Sequence, residues 1–157
     1  MDQLKIRPAT LDDLDALLQF EQAIIEAERP FDVTLRSGPD VRYYDLPALI
    51  ASPDAQMLVA ETDSRVIASG YARIDASEPY LRHRKHSYLG FMYVVPEHRG
   101  QGVIKQIIVA LEDWSRSRGI NELTLEVYAA NAAAIKAYEK SGYEGLLLQM
   151  RKGLTGD

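Results

Sequence analysis

The chain has 157 residues, of which 46% are hydrophobic and 26% charged, and its formal net charge is −5 at pH 7. These values are typical of a single globular domain with one hydrophobic core, and the negative charge gives no electrostatic support to nucleic-acid binding. The absence of cysteine excludes disulfides, thiolate metal sites and a cysteine nucleophile, and it makes a reducing compartment, the cytoplasm, the natural expectation.

The first third of the chain predicts a short strand followed by two helices. The strand is LKIRPA, and Thr10 and Asp13 form the capping-box pattern that begins a helix. Leucines and isoleucines recur at helical spacing as far as about Glu28, where an Arg-Pro pair ends the helix. Residues 31–42 lack periodicity and predict a loop. A second short helix follows in YYDLPALIAS, with Asp45 as its N-cap.

The middle of the chain predicts three strands. AQMLVAET and RVIASGYARID form a hairpin that turns at Asp63–Ser64, and a polar connector follows between Ala76 and Lys85. HSYLGFMYVVP predicts a long strand that is apolar on both faces towards its end. Such a pattern is typical of a central position in a sheet.

The last third of the chain alternates helix and strand. Apolar residues at helical spacing from Gln101 predict a helix that ends near Gly119, a natural C-cap. LTLEV is a strand, NAAAIKAYEKSG is a helix capped by Asn131 and closed by Gly142, and YEGLLLQMRK is a final extended segment. The order β-α-α-β-β-β-α-β-α-β predicts an α/β sheet that is antiparallel early and parallel around residues 86–127.

Neither a membrane segment nor a metal site is expected. No apolar run approaches the ~20 residues that cross a bilayer, and MDQLKIRPAT at the start lacks the apolar stretch of a secretory signal. His83, His86 and His98 lie close together in the sequence, but no acidic residue stands at metal-ligand spacing with them. Loop and strand positions are therefore the preferred interpretation of these histidines.

The stretch HRGQGV, residues 98–103, lies between a predicted strand and a predicted helix and has the composition of an anion site. The first turn of a helix presents unpaired N–H groups and the positive end of the helix dipole. Glycines let a phosphate approach the backbone, and Arg99 and Lys105 add positive charge. The stretch matches neither a Walker loop nor the dinucleotide fingerprint. A glycine-rich turn without a ligand remains the alternative, because a short glycine pattern is weak evidence by itself.

Two longer stretches carry a resemblance to a known family. VVPEHRGQGV resembles the Val-x-Pro…Arg/Gln-x-x-Gly-x-Gly/Ala segment of the GNAT superfamily of acyl-CoA-dependent N-acyltransferases. NAAAIKAYEKSGYE resembles that family's Asn-x-x-Ala-x-x-x-Tyr-Glu-x-x-Gly-Phe stretch, and IRPATLDDLDAL resembles its opening strand and helix. The resemblance covers nearly the whole chain and is weakest over residues 31–57 and 76–86. It implies one N-acetyltransferase domain over residues 1–157, with a central mixed, mostly antiparallel sheet flanked by about four helices.

The resemblance implies acetyl-CoA as the acyl donor, wedged between two splaying strands. The implied cofactor-binding residues are the backbone of Met92, Tyr93 and Val94 for the pantetheine, Arg99, Gly100, Gln101, Gly102, Val103, Ile104 and Lys105 for the pyrophosphate, and Asn131 for the cofactor arm. Ile104 departs from the family pattern, which has Gly or Ala at that position. Its branched side chain is expected either to crowd the pyrophosphate or to point into the core.

Two residues are candidates for catalysis itself. The resemblance implies that Tyr138 is the general acid near the thioester sulfur, and a packed core tyrosine is the alternative. Acyl transfer also needs a neutral amine, yet HSYLGFMYVV contains no acid, so Glu126 in LTLEV is the available base. Acetyltransferases that act on ribosomal-protein N-termini carry their base at a matching position. An apolar strand would raise the pKa of Glu126 by desolvation, whereas an outward-facing Glu126 is the alternative.

The segments that least resemble the family are expected to bind the acceptor. Glu28, Asp32, Tyr43 and Tyr44 are candidates to line a site for a cationic amine, with solvated surface positions as the alternative. The basic run RHRK at 82–85 is interpreted as a solvated loop.

The predicted function is acetyl transfer from acetyl-CoA to a primary amine, either a small molecule or a peptide. Direct attack in a ternary complex is expected, because no covalent nucleophile is evident. A non-catalytic acyl-CoA-binding or sensing module is the alternative. Pairing of exposed edge strands makes a homodimer one candidate for the oligomeric state.

Overall fold

The computed structural model describes residues 3–155, and within them the chain forms a five-stranded sheet and four α-helices. The strands are β1 (Lys5–Pro8), β2 (Ala55–Thr62), β3 (Arg65–Ala76), β4 (Lys85–Val94) and β5 (Leu123–Leu125). The α-helices are α1 (Leu14–Glu28), α2 (Leu46–Ala51), α3 (Val103–Ser117) and α4 (Ala132–Lys140). None of the helices in this part of the chain is long and apolar enough to cross a membrane.

The chain divides into two compact units, Met1–Glu126 and Val127–Asp157. The first unit holds the whole sheet together with α1, α2 and α3, and the second holds α4 and the C-terminal segment. A single domain over residues 1–157 stays a prediction.

The sheet has the strand order β1-β2-β3-β4-β5. The first four strands pair antiparallel, and β5 pairs parallel with β4 through Ser87–Leu89 and Leu123–Leu125. Asp63 and Ser64 turn the β2–β3 hairpin with φ values of +51° and +60°. Positive φ at both turn positions matches the right-handed twist of the flanking strands. The predicted mixed, mostly antiparallel sheet is confirmed.

Capping interactions join the start of α1 to the sheet. Thr10 and Asp13 form the predicted capping box, in which the Thr10 N–H donates to Asp13 Oδ2 at 2.8 Å. Arg7 in β1 donates to both carboxylate oxygens of Asp13 at 2.9 Å and to Glu61 Oε2 in β2 at 2.7 Å. The Arg7 guanidinium holds the pKa of Asp13 below its usual range. The first turn before α1 is therefore fixed against β1 and β2.

The α3 helix packs on the sheet with its apolar side, which buries Val103, Ile107, Ile108 and Leu111. The approach to β3 is close at Gly70, because a Cβ there would lie 2.8 Å from Ile107 Cγ2 and 2.7 Å from Met92 Sδ. A buried contact between the Ser87 and Ser115 hydroxyls, 2.7 Å apart, joins β4 to the far end of α3. These contacts set the direction in which the N-terminus of α3 points.

The last predicted strand is not formed. Residues 143–152, YEGLLLQMRK, belong to no helix or strand, and β5 ends at Leu125, earlier than the predicted LTLEV. A strand is assigned only where a neighbouring strand satisfies its backbone hydrogen bonds. The sequence pattern indicates an extended conformation, whereas pairing depends on a neighbour that the pattern does not specify.

Candidate active site

A β-bulge lies in β4 beside the implied cofactor-binding residues. Ser69 in β3 pairs with Tyr93, whereas Tyr71 pairs with Gly90, so β4 has one residue more than β3 over this interval. Phe91 lies in the bulge with φ at +59°, a conformation that is uncommon for a bulky residue. The buried Ser69 hydroxyl donates to the Phe91 carbonyl at 2.9 Å. Backbone strain of this kind is concentrated at binding sites.

Beyond the bulge, β4 has an open edge on its β5 side. Within residues 3–155, β5 pairs only with Ser87–Leu89, while β4 continues to Val94. The two strands therefore part where residues 92–94 begin, and the backbone on this edge is available to an extended ligand. Met92, Tyr93 and Val94 are the residues for which the resemblance implies pantetheine contact, and that contact stays a prediction.

The loop after β4 presents backbone N–H groups at the start of α3. Gly100 and Gly102 have φ values of +77° and +78°, a region that favours glycine. Gly102 is the N-cap of α3, and no side chain of the described residues caps it. The first helical hydrogen bond runs from the Gln106 N–H to the Gly102 carbonyl at 3.1 Å, so the N–H groups of residues 103–105 have no acceptor within the helix.

The space beside the two glycines is open. A Cβ at Gly100 or at Gly102 would have no atom within 4 Å. Unpaired N–H groups, the helix dipole and open space together suit an anion such as a phosphate. We refer to residues 100–105 as the N–H cradle.

Arg99 directly precedes the N–H cradle, and Ile104 lies within it. Arg99 Nε donates to the Val94 carbonyl at 3.0 Å, and the guanidinium carbon lies 5.7 Å from the centroid of the Tyr93 ring. Arg99 is thus tied to the end of β4. Ile104 is the second residue of α3 and is half-buried. Its effect on the pyrophosphate stays a prediction. The other implied members are Gln101 and Lys105, which are exposed, and Val103, which is buried.

A row of four tyrosine rings crosses the first unit. Neighbouring ring centroids lie 5.8 Å apart for Tyr43 and Tyr44, 5.8 Å for Tyr44 and Tyr71, and 6.4 Å for Tyr71 and Tyr88. We refer to these four residues as the tyrosine row. Gly90 makes room for it, since a Cβ there would lie 2.6 Å from Tyr71 Oη. Burial is the main cause that raises the pKa of Tyr44, Tyr71 and Tyr88, so these phenols are neutral near pH 7.

A buried carboxylate holds the tyrosine row against α1. Glu21 Oε2 accepts hydrogen bonds from the Tyr43 and Tyr44 N–H groups at 3.0 and 2.9 Å, and Glu21 Oε1 lies 3.7 Å from Arg42 Nε. The Glu21 side chain is fully buried. A buried carboxylate is tolerated only when it is paired or hydrogen-bonded, so these contacts fix the path of residues 42–44.

Carboxylates lie at both ends of the tyrosine row. Glu28 in α1 interacts with Tyr43, and burial raises the pKa of Glu28. At the other end, Tyr88 Oη donates to Glu126 Oε1 at 2.8 Å. The structure thus brings Glu28, Tyr43 and Tyr44 together, as the acceptor prediction requires, although their role stays a prediction. An aromatic surface between two carboxylates is suited to a cationic amine.

Asp32 has a local contact instead. Its Oδ1 accepts hydrogen bonds from the N–H and the hydroxyl of Thr34, the N–H at 3.0 Å. This arrangement is an Asx-turn, which stabilises the loop after α1. The contribution of Asp32 to acceptor binding stays a prediction.

Glu126 directly follows β5, and its side chain is exposed. This exposure agrees with the outward-facing alternative given for Glu126. The hydrogen bond from Tyr88 is what positions this carboxylate. Its role as the base stays a prediction.

The second unit holds the two remaining predicted residues, Asn131 and Tyr138. Asn131 Oδ1 accepts from the Ala134 N–H at 3.2 Å, so Asn131 caps α4 as predicted. The amide NH₂ of Asn131 can still donate to a ligand. Tyr138 is half-buried in α4, with its ring centroid 6.2 Å from that of Tyr143. The roles of Asn131 and Tyr138 towards acetyl-CoA stay predictions.

Several residues of the site carry no sequence motif. Glu21 and Tyr71 lie within ordinary helix and strand patterns. Nothing in the sequence around Phe91 indicates that its φ is positive. Tyr88 fits the regular alternation of residues along β4, so the sequence pattern does not mark it as a site residue. Gly90 is a signal that points to this site, because an isolated glycine in a strand indicates a bulge or a close approach.

The sequence profile of the Acetyltransferase (GNAT) family matches residues 21–143. This match covers most of the chain, and the chain belongs to the acetyltransferase (GNAT) family. An uncharacterized N-acetyltransferase of Bacillus subtilis, YycN, is 42% identical over 57 residues, which are 36% of each protein. YycN, an IAA acetyltransferase of Azospirillum brasilense and an aminoglycoside N(6')-acetyltransferase of Klebsiella aerogenes are matched over 36%, 58% and 64% of their length.

Solved structures show the same fold. A mutant of the BH1408 protein from Bacillus halodurans superposes with a TM-score of 0.86 at 21% identity, over 96% of this chain and 99% of that one. A predicted acetyltransferase from Clostridium acetobutylicum, solved with acetyl-CoA, superposes with a TM-score of 0.75 at 17% identity, over 97% of each chain. These similarities confirm the mixed α/β fold that the sequence predicts.

Proposed function

We propose that the chain is an N-acetyltransferase that moves an acetyl group from acetyl-CoA to a primary amine by direct attack in a ternary complex. The observation that carries this proposal is the open edge of β4, which leads through one short loop into the uncapped N-terminus of α3. CoA joins an extended pantetheine, with two amides, to a pyrophosphate. An open strand edge suits the first part and a helix N-terminus suits the second.

The residues of this region divide between the two parts of the cosubstrate. Met92–Val94 bind the pantetheine amides through the backbone, and the N–H cradle binds the pyrophosphate, with Lys105 adding charge. Asn131 binds the cofactor arm through its amide NH₂. Family membership and a neighbour of the same fold that was solved with acetyl-CoA support the choice of cosubstrate.

The tyrosine row is the proposed acceptor site. Most primary amines are cations near neutral pH, and aromatic faces and carboxylates both attract cations. Glu28 and Glu126 supply charge at the two ends, and the neutral phenols supply hydrogen bonds. The net charge of −5 favours the approach of a cation further.

The ammonium loses two protons over the reaction, one before it attacks and one after the carbon–nitrogen bond has formed, and solvent takes both in the end. The departing sulfur gains one proton. Acetyl-CoA supplies the acetyl group, whose carbon–sulfur bond breaks as the new carbon–nitrogen bond forms. Glu126, positioned by Tyr88, takes the proton that the ammonium loses before it attacks. Tyr138 gives a proton to the sulfur and regains it from solvent. Exposure of Glu126 lets it pass its proton to water.

Binding and turnover together test this proposal. Saturation with acetyl-CoA at about 100 times its dissociation constant stabilises a protein by about 2.7 kcal/mol, which corresponds to a rise in Tm of roughly 5–10 °C for a chain of this size. Thiol release with a panel of diamines, amino acids, amino sugars and peptides then reports turnover. We expect stabilisation and release with at least one amine.

The second candidate is a non-catalytic acyl-CoA-binding module. The exposure of Glu126 and the absence of an acid in HSYLGFMYVV favour it. Stabilisation by acetyl-CoA without thiol release from any amine would establish the module. No stabilisation at all would refute both functions.

A further inference from the structure

The bulge in β4 is held by a hydroxyl group from the neighbouring strand. Ser69 in β3 is fully buried, and its hydroxyl donates to the Phe91 carbonyl at 2.9 Å. Phe91 has φ at +59°. Glycine usually supplies this left-handed conformation at a bulge, and it is strained for a residue that carries a Cβ. Such strain persists only where surrounding contacts impose the conformation.

Two contacts hold Phe91, and they act on different parts of the residue. The ring packs against that of Tyr44, with the centroids 4.8 Å apart and the planes at 46°. The carbonyl accepts the Ser69 hydroxyl. Among the described strands, neither Phe91 nor Met92 is in register with a residue of β3 or β5. Regular strand pairing therefore does not set the peptide plane between Phe91 and Met92, whereas the Ser69 hydroxyl does.

The same hydrogen bond sets the direction of the Met92 N–H group. The peptide bond between Phe91 and Met92 is trans, and in a trans peptide the C=O and the following N–H point in opposite directions. Because the Phe91 carbonyl points towards Ser69, the Met92 N–H points away from Ser69. Met92 is the first of the three residues for which pantetheine contact is predicted. A buried serine of β3 thus determines where a backbone donor of that region points.

We propose that Ser69 is a positioning residue for the cosubstrate: its hydroxyl holds the peptide so that the Met92 N–H donates to a carbonyl oxygen of bound acyl-CoA. This inference rests on the proposed function, and it concerns a residue that acts through the backbone instead of touching the cosubstrate. Ser69→Ala removes the hydroxyl but keeps the Cβ, so the peptide is free to rotate. The dissociation constant of acetyl-CoA should then rise about 3- to 10-fold, as for the loss of one neutral hydrogen bond.

Calorimetric titration with acetyl-CoA and with CoA gives the first test, and Ser87→Ala is its matched control. Ser87 is also a fully buried serine of the sheet, and its hydroxyl lies 2.7 Å from that of Ser115. Alanine there removes a buried hydrogen bond too, but outside the bulge. We expect both variants to unfold at a lower Tm than the wild type, and only Ser69→Ala to bind the cosubstrate more weakly.

The two ligands identify the oxygen that accepts the hydrogen bond. Equal weakening of acetyl-CoA and CoA assigns it to the pantetheine, and weakening of acetyl-CoA alone assigns it to the thioester; both results support the role of Ser69. Unchanged dissociation constants in folded Ser69→Ala, or equal weakening in Ser87→Ala, would overturn that role while the wild type still binds. A wild type that binds neither ligand would refute the proposed function together with this inference.

The Met92 amide proton gives a second readout, which a loss of stability alone does not move. Labelling with ¹⁵N-methionine marks Met1, Met57, Met92 and Met150, and the volume-conserving substitution Met92→Leu assigns the Met92 signal. Saturating acetyl-CoA should move this amide proton downfield in the wild type and leave that of Met57, which is buried in β2, nearly unchanged. In Ser69→Ala the downfield shift should be smaller at saturation. An equal shift in the two proteins would show that the direction of the Met92 N–H does not depend on Ser69, and would overturn the proposal.

Discussion

Gly102→Ala is the most direct test of the N–H cradle, and Gly119→Ala is its matched control. Gly102 and Gly119 have φ values of +78° and +77°, and a Cβ at either would have no atom within 4 Å. They lie at opposite ends of α3: Gly102 is the N-cap, and Gly119 follows the C-terminus, where the Ile120 N–H donates to the Ser115 carbonyl at 3.0 Å. Only Gly102 lies in the cradle.

The two substitutions should cost the same stability but differ in binding. Alanine in the left-handed region costs about 1–2 kcal/mol, which lowers the Tm of a chain of this size by roughly 2–8 °C. At Gly102 the added methyl group also lies in the cradle, where we expect it to hinder the approach of the phosphate. Loss of one hydrogen bond to a charged phosphate costs about 1.5–3 kcal/mol, so the dissociation constant of acetyl-CoA should rise about 10- to 100-fold.

Thermal unfolding without ligand and calorimetric titration with acetyl-CoA measure the two effects separately. We expect similar Tm values for the two variants and weakened binding for Gly102→Ala alone. Equal dissociation constants for Gly102→Ala, Gly119→Ala and the wild type would show that the pyrophosphate is bound elsewhere. Equal weakening in both variants would indicate a general effect of α3 stability on binding.

Three further predictions concern catalysis and the tyrosine row. Tyr138→Phe should lower kcat by roughly 100-fold with little change in the KM for acetyl-CoA, and unchanged turnover at saturating substrate would assign the general acid to another group. Glu126→Gln should lower kcat, and Tyr88→Phe should lower kcat less, because Tyr88 only positions the carboxylate; an unaltered kcat in Glu126→Gln would exclude Glu126 as the base. Glu21→Ala should lower the free energy of unfolding in urea by about 3 kcal/mol, because the N–H groups of Tyr43 and Tyr44 lose their acceptor. The exposed Glu26→Ala should change it by less than ~0.5 kcal/mol, and equal effects would contradict the anchoring role of Glu21.

The sequence determined the local elements, because their signals involve residues a few positions apart. Thr10, Asp45 and Asn131 cap the helices for which they were predicted, and each accepts a hydrogen bond from an N–H two or three residues on. Gly119 and Gly142 follow the ends of α3 and α4 with positive φ. Each signal depends on backbone geometry within one helical turn, which a short stretch of sequence fixes.

The glycine loop belongs to the same class of prediction. Consecutive N–H groups at a helix N-terminus form the cradle, so Gly100 and Gly102 are recognisable from spacing alone. Since the family motifs lie in this loop and in α4, the sequence also identified the family, and with it the fold. The half-buried state of Ile104 shows the limit of the motif, because the packing of one side chain depends on what lies beside α3.

Only the tertiary structure brought the tyrosine row together and decided the strand pairing. The tyrosine row unites residues from the segment before α2, from β3 and from β4, and the bulge at Phe91 determines which side chains of β4 face those of β3. One residue of bulge changes the register of a strand beyond it, and no local pattern announces that shift here. The end of β5 at Leu125 has the same physical reason, because hydrogen-bond partners distant in the chain decide where an extended segment is a strand.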